Sequence, residues 1–224
     1  MVPGTRLRTA PAAGVPQRAA ARRLLALRAG VWSLGLAPLL LLALRFSRDR
    51  WGTNPIELLT HRTGWWALAL LLCTLAVTPV RRLTGVNELA RVRRPLGLFA
   101  FLYATLHLLV YFVLDQGLAL GYLVEDVVER PFITVGFLAW LLMAPLAATS
   151  TRGWIRRLGR GWARLHRLIY PAAALGVVHF LWGVKADLRE PVVFAALLAL
   201  LLTLRLVWWM DARRGAHAIP RGRA

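Results

Sequence analysis

Long apolar stretches alternate with short polar segments along most of the chain. Six stretches approach the ~20 residues that an α-helix needs to cross the hydrocarbon core of a bilayer. They cover roughly 29–46, 64–80, 95–114, 132–149, 167–184 and 191–210. A lone strand cannot satisfy its backbone groups in lipid, and no alternating barrel pattern appears. We therefore predict an all-α fold, an integral membrane bundle of six transmembrane helices.

The composition also indicates a membrane protein. Hydrophobic residues make up 58% of the 224 residues, whereas soluble domains average about 45–50%. The ten tryptophans fit the same class, because Trp prefers the interface between membrane and water. The single cysteine, Cys73, excludes a disulfide framework and a c-type heme attachment motif. Any heme must therefore be held by coordination alone.

The positive charge is concentrated in alternate polar segments. The formal net charge is +19, and 20 of the 29 Lys and Arg residues lie in 1–28, 81–94, 150–164 and 211–224. Such segments face the cytoplasm under the positive-inside rule, so we expect both termini there, in a bacterial inner membrane. Arginines placed between apolar stretches in this way are typical of the cytoplasmic loops of a membrane protein rather than of a nucleic-acid-binding surface. The predicted partners therefore include membrane lipid and no nucleic acid.

The same pattern predicts the domain organisation. Residues 1–28 form a basic cytoplasmic N-terminal tail, and residues 211–224 form a basic cytoplasmic C-terminal tail. The membrane domain occupies 29–210. No internal repeat is evident in the sequence.

Three histidines carry the candidate chemistry. His107 lies in the third predicted span, and His166 and His179 lie at the two ends of the fifth. At 1.5 Å per residue, His107 lies about 18 Å above Pro95 and His179 about 20 Å above His166, so both lie at one depth in the outer half. Two imidazoles at one level can bind a heme iron axially. The alternative is that His107 merely hydrogen-bonds a neighbouring helix.

A second candidate site lies at the inner ends of the same two spans. Arg93 stands 14 residues before His107, where a second heme would require a histidine. Arginine stays protonated and is a poor iron ligand, but it pairs well with phosphate or carboxylate. We predict an anionic cofactor between Arg93 and His166; alternatively, Arg93 serves only as a topological charge. Thirteen residues of helix put His166 and His179 on different faces, unless a kink near Pro171 realigns them.

Five stretches of the chain resemble a known family. They are NPIELLTHRTGWWAL at 54–68, RRPLGLFAFLYATLHLLVY at 93–111, RPFITVGFLAW at 130–140, ATSTRGWIRRLGRGWARLHRLIY at 148–170 and HFLWGVK at 179–185. The chain resembles the MsrQ family, the heme-binding membrane subunits of bacterial periplasmic methionine sulfoxide reductase systems. That family belongs to the ferric reductase-like transmembrane superfamily. The resemblance extends over about residues 30–210.

The resemblance implies a fold, cofactors and partners. It implies six spans, heme b and FMN, with electrons taken from the quinone pool or a cytoplasmic flavin reductase. The recipient is a periplasmic molybdopterin-containing catalytic subunit that reduces methionine sulfoxide in oxidised proteins. His107, His166 and His179 fall on the family's histidine positions, and Arg93 falls where two-heme relatives carry histidine. The chain is then an electron-transfer subunit with no catalytic residue of its own.

Two other functions fit the same residues. A ferric or other metal reductase, or a quinol-oxidising cytochrome b, would use the same histidines and would differ in its electron acceptor or donor. A membrane scaffold or small transporter with structural histidines would be colourless when purified. A reducible heme absorbance spectrum separates this last alternative from the others.

Overall fold

The computed structural model describes residues 15–48, 53–119, 121, 125, 128–184 and 187–217. The α-helices are α1 (Val15–Ser47), α2 (Pro55–Thr84), α3 (Arg93–Leu109), α4 (Pro131–Ala148), α5 (Arg152–Leu158), α6 (Arg160–Leu165), α7 (Ile169–Gly183) and α8 (Arg189–His217). Two 3-10 turns, Asn87–Arg91 and His166–Leu168, precede α3 and α7, and a π-helical segment, Val110–Asp115, continues α3. No strand occurs in these described ranges, which confirms the all-α class.

Within the described ranges, five helices are long and apolar enough to cross a membrane. They cover Ala19–Ser47, Pro55–Thr84, Arg93–Asp115, Pro131–Ala148 and Arg189–Arg214. The remaining predicted span, 167–184, corresponds to α7, whose 15 residues fall short of this length. The 3-10 turn takes up the first part of that apolar stretch, and for this reason the α-helix is short. The chain is a multi-pass membrane protein with five clear candidate spans.

Local sequence signals set the ends of α2. Asn54 caps the helix, because its side-chain oxygen accepts a hydrogen bond from the Glu57 backbone N–H at 3.1 Å. Pro55 occupies the first turn, where its missing N–H costs nothing. Gly85 ends the helix in the left-handed conformation at φ 71°, and its N–H bonds the Arg81 carbonyl.

The core lies where α2, α3 and α7 meet. Leu70, Leu75, Tyr103, Ala172 and Ala173 are fully buried there. The two alanines leave little side-chain volume on α7, which allows close helix packing. The outer surfaces of the helices remain apolar, as expected where lipid replaces water.

The packing divides the bundle into two closely packed pairs, α2 with α3 and α4 with α7. The short helices α5 and α6 connect the second pair. Helix α1 is attached to the first pair, because the Tyr103 hydroxyl donates a 2.8 Å hydrogen bond to the Gly35 carbonyl. The two pairs together enclose the cavities described next.

Candidate functional site

A cavity of about 390 Å³ lies among α2, α3, α4 and α7. Most of its described lining is apolar or aromatic, and includes Trp65, Leu68, Trp140, Met143 and Phe180. A volume of a few hundred Å³ with a largely apolar lining is typical of small-molecule and cofactor sites. We call this space the outer cavity, after the predicted depth of its histidines.

His107 and His179 face each other in the outer cavity. They come from α3 and α7, one helix of each packed pair, and both line the cavity. Their ring centroids are 6.0 Å apart, and the ring planes make an angle of 75°. The structure therefore brings together the two imidazoles that helix rise places at one depth.

Each of these histidines is held by a backbone carbonyl of a neighbouring helix. His107 Nδ1 lies 2.9 Å from the Thr60 oxygen, and His179 Nδ1 lies 2.7 Å from the Phe132 oxygen. A carbonyl oxygen can only accept a hydrogen bond, so Nδ1 carries the proton in both rings. In a neutral imidazole the other nitrogen, Nε2, then has a free lone pair. Both histidines are therefore in the tautomer that binds metal through Nε2.

The spacing of the two rings fits an iron between them. A metal–imidazole nitrogen bond is about 2.0 Å, and the ring centre lies roughly 1.1 Å beyond the nitrogen. Two imidazoles on opposite sides of one metal ion therefore have centroids about 6 Å apart. The 6.0 Å between His107 and His179 matches this value. The residues present fit a bis-histidine heme, and the apolar lining suits the macrocycle.

A second cavity of about 390 Å³ lies at the other end of the bundle, and we call it the inner cavity. Arg81, Arg93, Arg94 and His166 line it, and its described lining contains no Asp or Glu. Three guanidinium groups without a carboxylate create a positive site that favours an anionic ligand. Met143 lines both cavities and so lies between them.

His166 belongs to the inner cavity and has protein partners of its own. Its ring stacks on Trp162 at 4.0 Å between centroids, and its Nε2 lies 3.2 Å from the Thr149 hydroxyl. Trp162 Nε1 donates to the Thr149 carbonyl at 3.0 Å. His166 lies in the 3-10 turn, so the backbone departs from α-helical geometry before Pro171, where the sequence placed a kink. The structure thus groups His166 with Arg93 and apart from the other two histidines.

Arg205, in the middle of α8, is a polar residue that the sequence analysis missed. Its guanidinium donates to the Leu75 carbonyl at 2.5 Å and to the Tyr170 hydroxyl at 2.6 Å. Its Nε is buried without a hydrogen-bond partner among the described residues. Arg205 also repels Arg93 electrostatically, so it adds to the positive potential at this lining residue of the inner cavity. The available signal was a lone arginine inside an apolar span, which is a default functional candidate.

Comparison with known proteins identifies clear relatives. Residues 63–177 match the family described as ferric reductase like transmembrane component. The chain is 50% identical to the protein-methionine-sulfoxide reductase heme-binding subunit MsrQ of Ralstonia nicotianae over 208 residues, which cover 91% of this chain and 96% of the relative. It is also 50% identical to the same subunit of Xanthomonas campestris over 204 residues, 88% of this chain and 94% of the relative. No solved structure matches the chain.

Proposed function

Because the chain belongs to the MsrQ family of heme-binding subunits, within the ferric reductase-like transmembrane proteins, we propose that it is the electron-transfer subunit of a methionine sulfoxide reductase system. Its acceptor is a periplasmic molybdopterin-containing catalytic subunit, which reduces methionine sulfoxide in proteins. The observation that carries this proposal is the pair of imidazoles, His107 and His179, with centroids 6.0 Å apart and both Nε2 atoms free to bind iron.

The protein's own contribution is to position the heme and to set its reduction potential. His107 and His179 would hold heme b, and the Thr60 and Phe132 carbonyls orient the two rings. Heme b supplies a one-electron Fe(III)/Fe(II) carrier whose potential depends on its ligands and on burial. Arg130, which also lines the outer cavity, provides a cation suited to a propionate. The chain itself makes and breaks no bond of methionine sulfoxide.

A direct test measures electron transfer from the reduced heme to the proposed partner. The purified chain, with its heme reduced by dithionite, is mixed anaerobically with the molybdoenzyme and methionine sulfoxide. With the chain in molar excess over the molybdoenzyme, we expect full heme reoxidation only when both are present, because the partner's molybdenum alone accepts a stoichiometric amount of electrons and methionine sulfoxide must accept the rest. Reoxidation by ferric chelates but not by the partner would instead identify a metal reductase. A purified chain without heme absorbance would exclude both redox functions and would favour a membrane scaffold or transporter.

We also propose six membrane spans with both termini in the cytoplasm of a bacterial inner membrane. The 3-10 turn His166–Leu168 and α7 together form the sixth span. An even number of crossings keeps the Arg-rich segment at 150–164 and the Arg-rich tail at 211–224 on one side, as the positive-inside rule requires. Five crossings would place these two segments on opposite sides.

Single cysteines test this topology in a Cys73→Ala background. We expect Asp187→Cys, between α7 and α8, to react with an impermeant maleimide from the periplasm. Arg214→Cys, at the other end of α8, should react only after the cells are lysed. Both positions lie within described residues. The opposite labelling pattern would mean that α7 does not cross the membrane.

The inner cavity, in this proposal, receives FMN near the cytoplasmic surface. The quinone pool or a cytoplasmic flavin reductase then supplies the electrons. Support comes from the three lining arginines, from the lack of carboxylates in the described lining and from the Trp162–His166 stack. A flavin phosphate needs such cations, and an isoalloxazine ring suits a site with planar side chains.

Arg93→Ala and His166→Ala test this assignment. We expect Arg93→Ala to weaken flavin binding about 10–100-fold, because a hydrogen bond to a charged group contributes about 1.5–3 kcal/mol. Flavin fluorescence after denaturation and heme absorbance are measured on the same sample, and the heme content should not change. Arg91→Ala is the matched control, because Arg91 is exposed and does not line the cavity. Equal flavin content in all three variants and the parent would contradict the assignment.

A further inference from the structure

The hydrogen bonds of His107 and His179 in the outer cavity have the same arrangement. In each packed pair, a histidine on the second helix donates to a carbonyl on the first, namely His107 to Thr60 and His179 to Phe132. Histidine and carbonyl are 47 residues apart in both cases. The pairs α2–α3 and α4–α7 therefore share this histidine contact at the same spacing, although their sequences show no repeat.

A glycine follows each carbonyl at the same distance. Gly64 is four residues after Thr60, and Gly136 is four residues after Phe132. A Cβ on Gly64 would lie 3.0 Å from His107 Nδ1, and a Cβ on Gly136 would lie 2.6 Å from His179 Nδ1. Both distances are shorter than ordinary van der Waals contact, so a Cβ at Gly136 would force the imidazole to shift, and a Cβ at Gly64 would push it by a few tenths of an ångström.

Helix geometry explains why this position needs glycine. The carbonyl of residue i accepts the N–H of residue i+4, so residue i+4 lies beside that oxygen. Its Cβ tilts toward the helix N-terminus and fills the space from which a second donor would approach. Glycine leaves that space open, and the imidazole can then reach the carbonyl oxygen as a further donor.

We propose that Gly64 and Gly136 are positioning residues that hold His107 and His179 as Nδ1–H tautomers, with Nε2 presented to the heme iron. This inference rests on the proposed heme function. Hydrogen bonding at Nδ1 makes each imidazole a more basic ligand, which stabilises ferric heme. Filling either space lengthens or breaks that bond, weakens the axial ligand and raises the reduction potential.

The two positions differ in how tightly they are packed. The hydrogen bond from His179 is 2.7 Å long and that from His107 is 2.9 Å. The missing Cβ would also lie closer to the ring at Gly136 than at Gly64. Gly136→Ala should therefore have the larger effect.

The experiment uses the full-length chain with Gly64→Ala, Gly136→Ala and the control Gly30→Ala, whose new Cβ would have no neighbour within 4 Å. We expect Gly136→Ala to weaken heme retention about 10–100-fold, the usual cost of losing a partner of a metal ligand. Gly64→Ala should keep more heme, with a raised midpoint potential and a changed low-spin ferric EPR spectrum. Gly30→Ala should match the parent.

A double-mutant cycle separates this role from general packing or misfolding. Gly64→Ala is combined with His107→Ala, Gly136→Ala is combined with His179→Ala, and thermal midpoints are compared. The destabilisation by alanine should shrink once the ring is absent, because the three atoms nearest to the added Cβ all belong to that ring at both positions. An equal loss with and without the ring would overturn the inference, and so would parental heme content, potential and EPR in both single variants. A parent chain without heme would instead contradict the proposed function.

Discussion

Replacing His107 or His179 by alanine should remove the heme absorbance of the purified chain. In the proposed site each imidazole would supply one of the two axial bonds to the iron, and the third histidine of the described lining, His61, comes from the exposed end of α2. The change is measured as the ratio of Soret to protein absorbance in detergent, before and after reduction with dithionite. We expect it to be the largest effect of any single substitution on cofactor content.

His61→Ala is the matched control for this experiment. His61 also lines the outer cavity, but it is exposed and its Nε2 lies 3.8 Å from a Glu57 carboxylate oxygen. Its removal should leave the absorbance unchanged. A further arm uses His107→Gly, which leaves a space that free imidazole can enter to restore the spectrum. If the two alanine variants keep the parental spectrum, the assignment of the axial ligands is wrong.

Tyr103→Ala should cause the largest loss of stability. Tyr103 is fully buried in α3, its hydroxyl bonds the Gly35 carbonyl of α1, and its ring lies beside Trp66. Truncating a buried aromatic side chain leaves a cavity that costs about 3–5 kcal/mol. Reversible unfolding in SDS–detergent mixtures, followed by tryptophan fluorescence, measures the change.

Two further variants separate the contribution of the Tyr103 hydrogen bond from that of its buried ring. Tyr103→Phe removes only the hydrogen bond and should cost about 1 kcal/mol. Leu102→Ala, one position earlier on the same helix, removes a side chain that is 40% exposed and should cost much less than Tyr103→Ala. Equal stability of Tyr103→Ala and Leu102→Ala would show that the attachment of α1 to α3 contributes little to the fold.

The sequence by itself determined the class of the protein. Apolar length and backbone hydrogen bonding in lipid require helices, and the structure is all-α with five clear candidate spans. The shortfall at the fifth predicted span has a local cause. Hydropathy records only that residues 167–184 are apolar, whereas the 3-10 turn that shortens α7 lies where His166 contacts Trp162 and Thr149 in the folded chain.

The meeting of His107 and His179 was also predictable, because rise per residue is a local property of a helix. Only the tertiary structure decided which carbonyls hold their rings and which glycines make room for them. The bonded atoms lie 47 residues apart in the chain, and no local periodicity relates them. The sequence determines the depth of each side chain in the bilayer, and the packing of neighbouring helices determines which groups that side chain contacts.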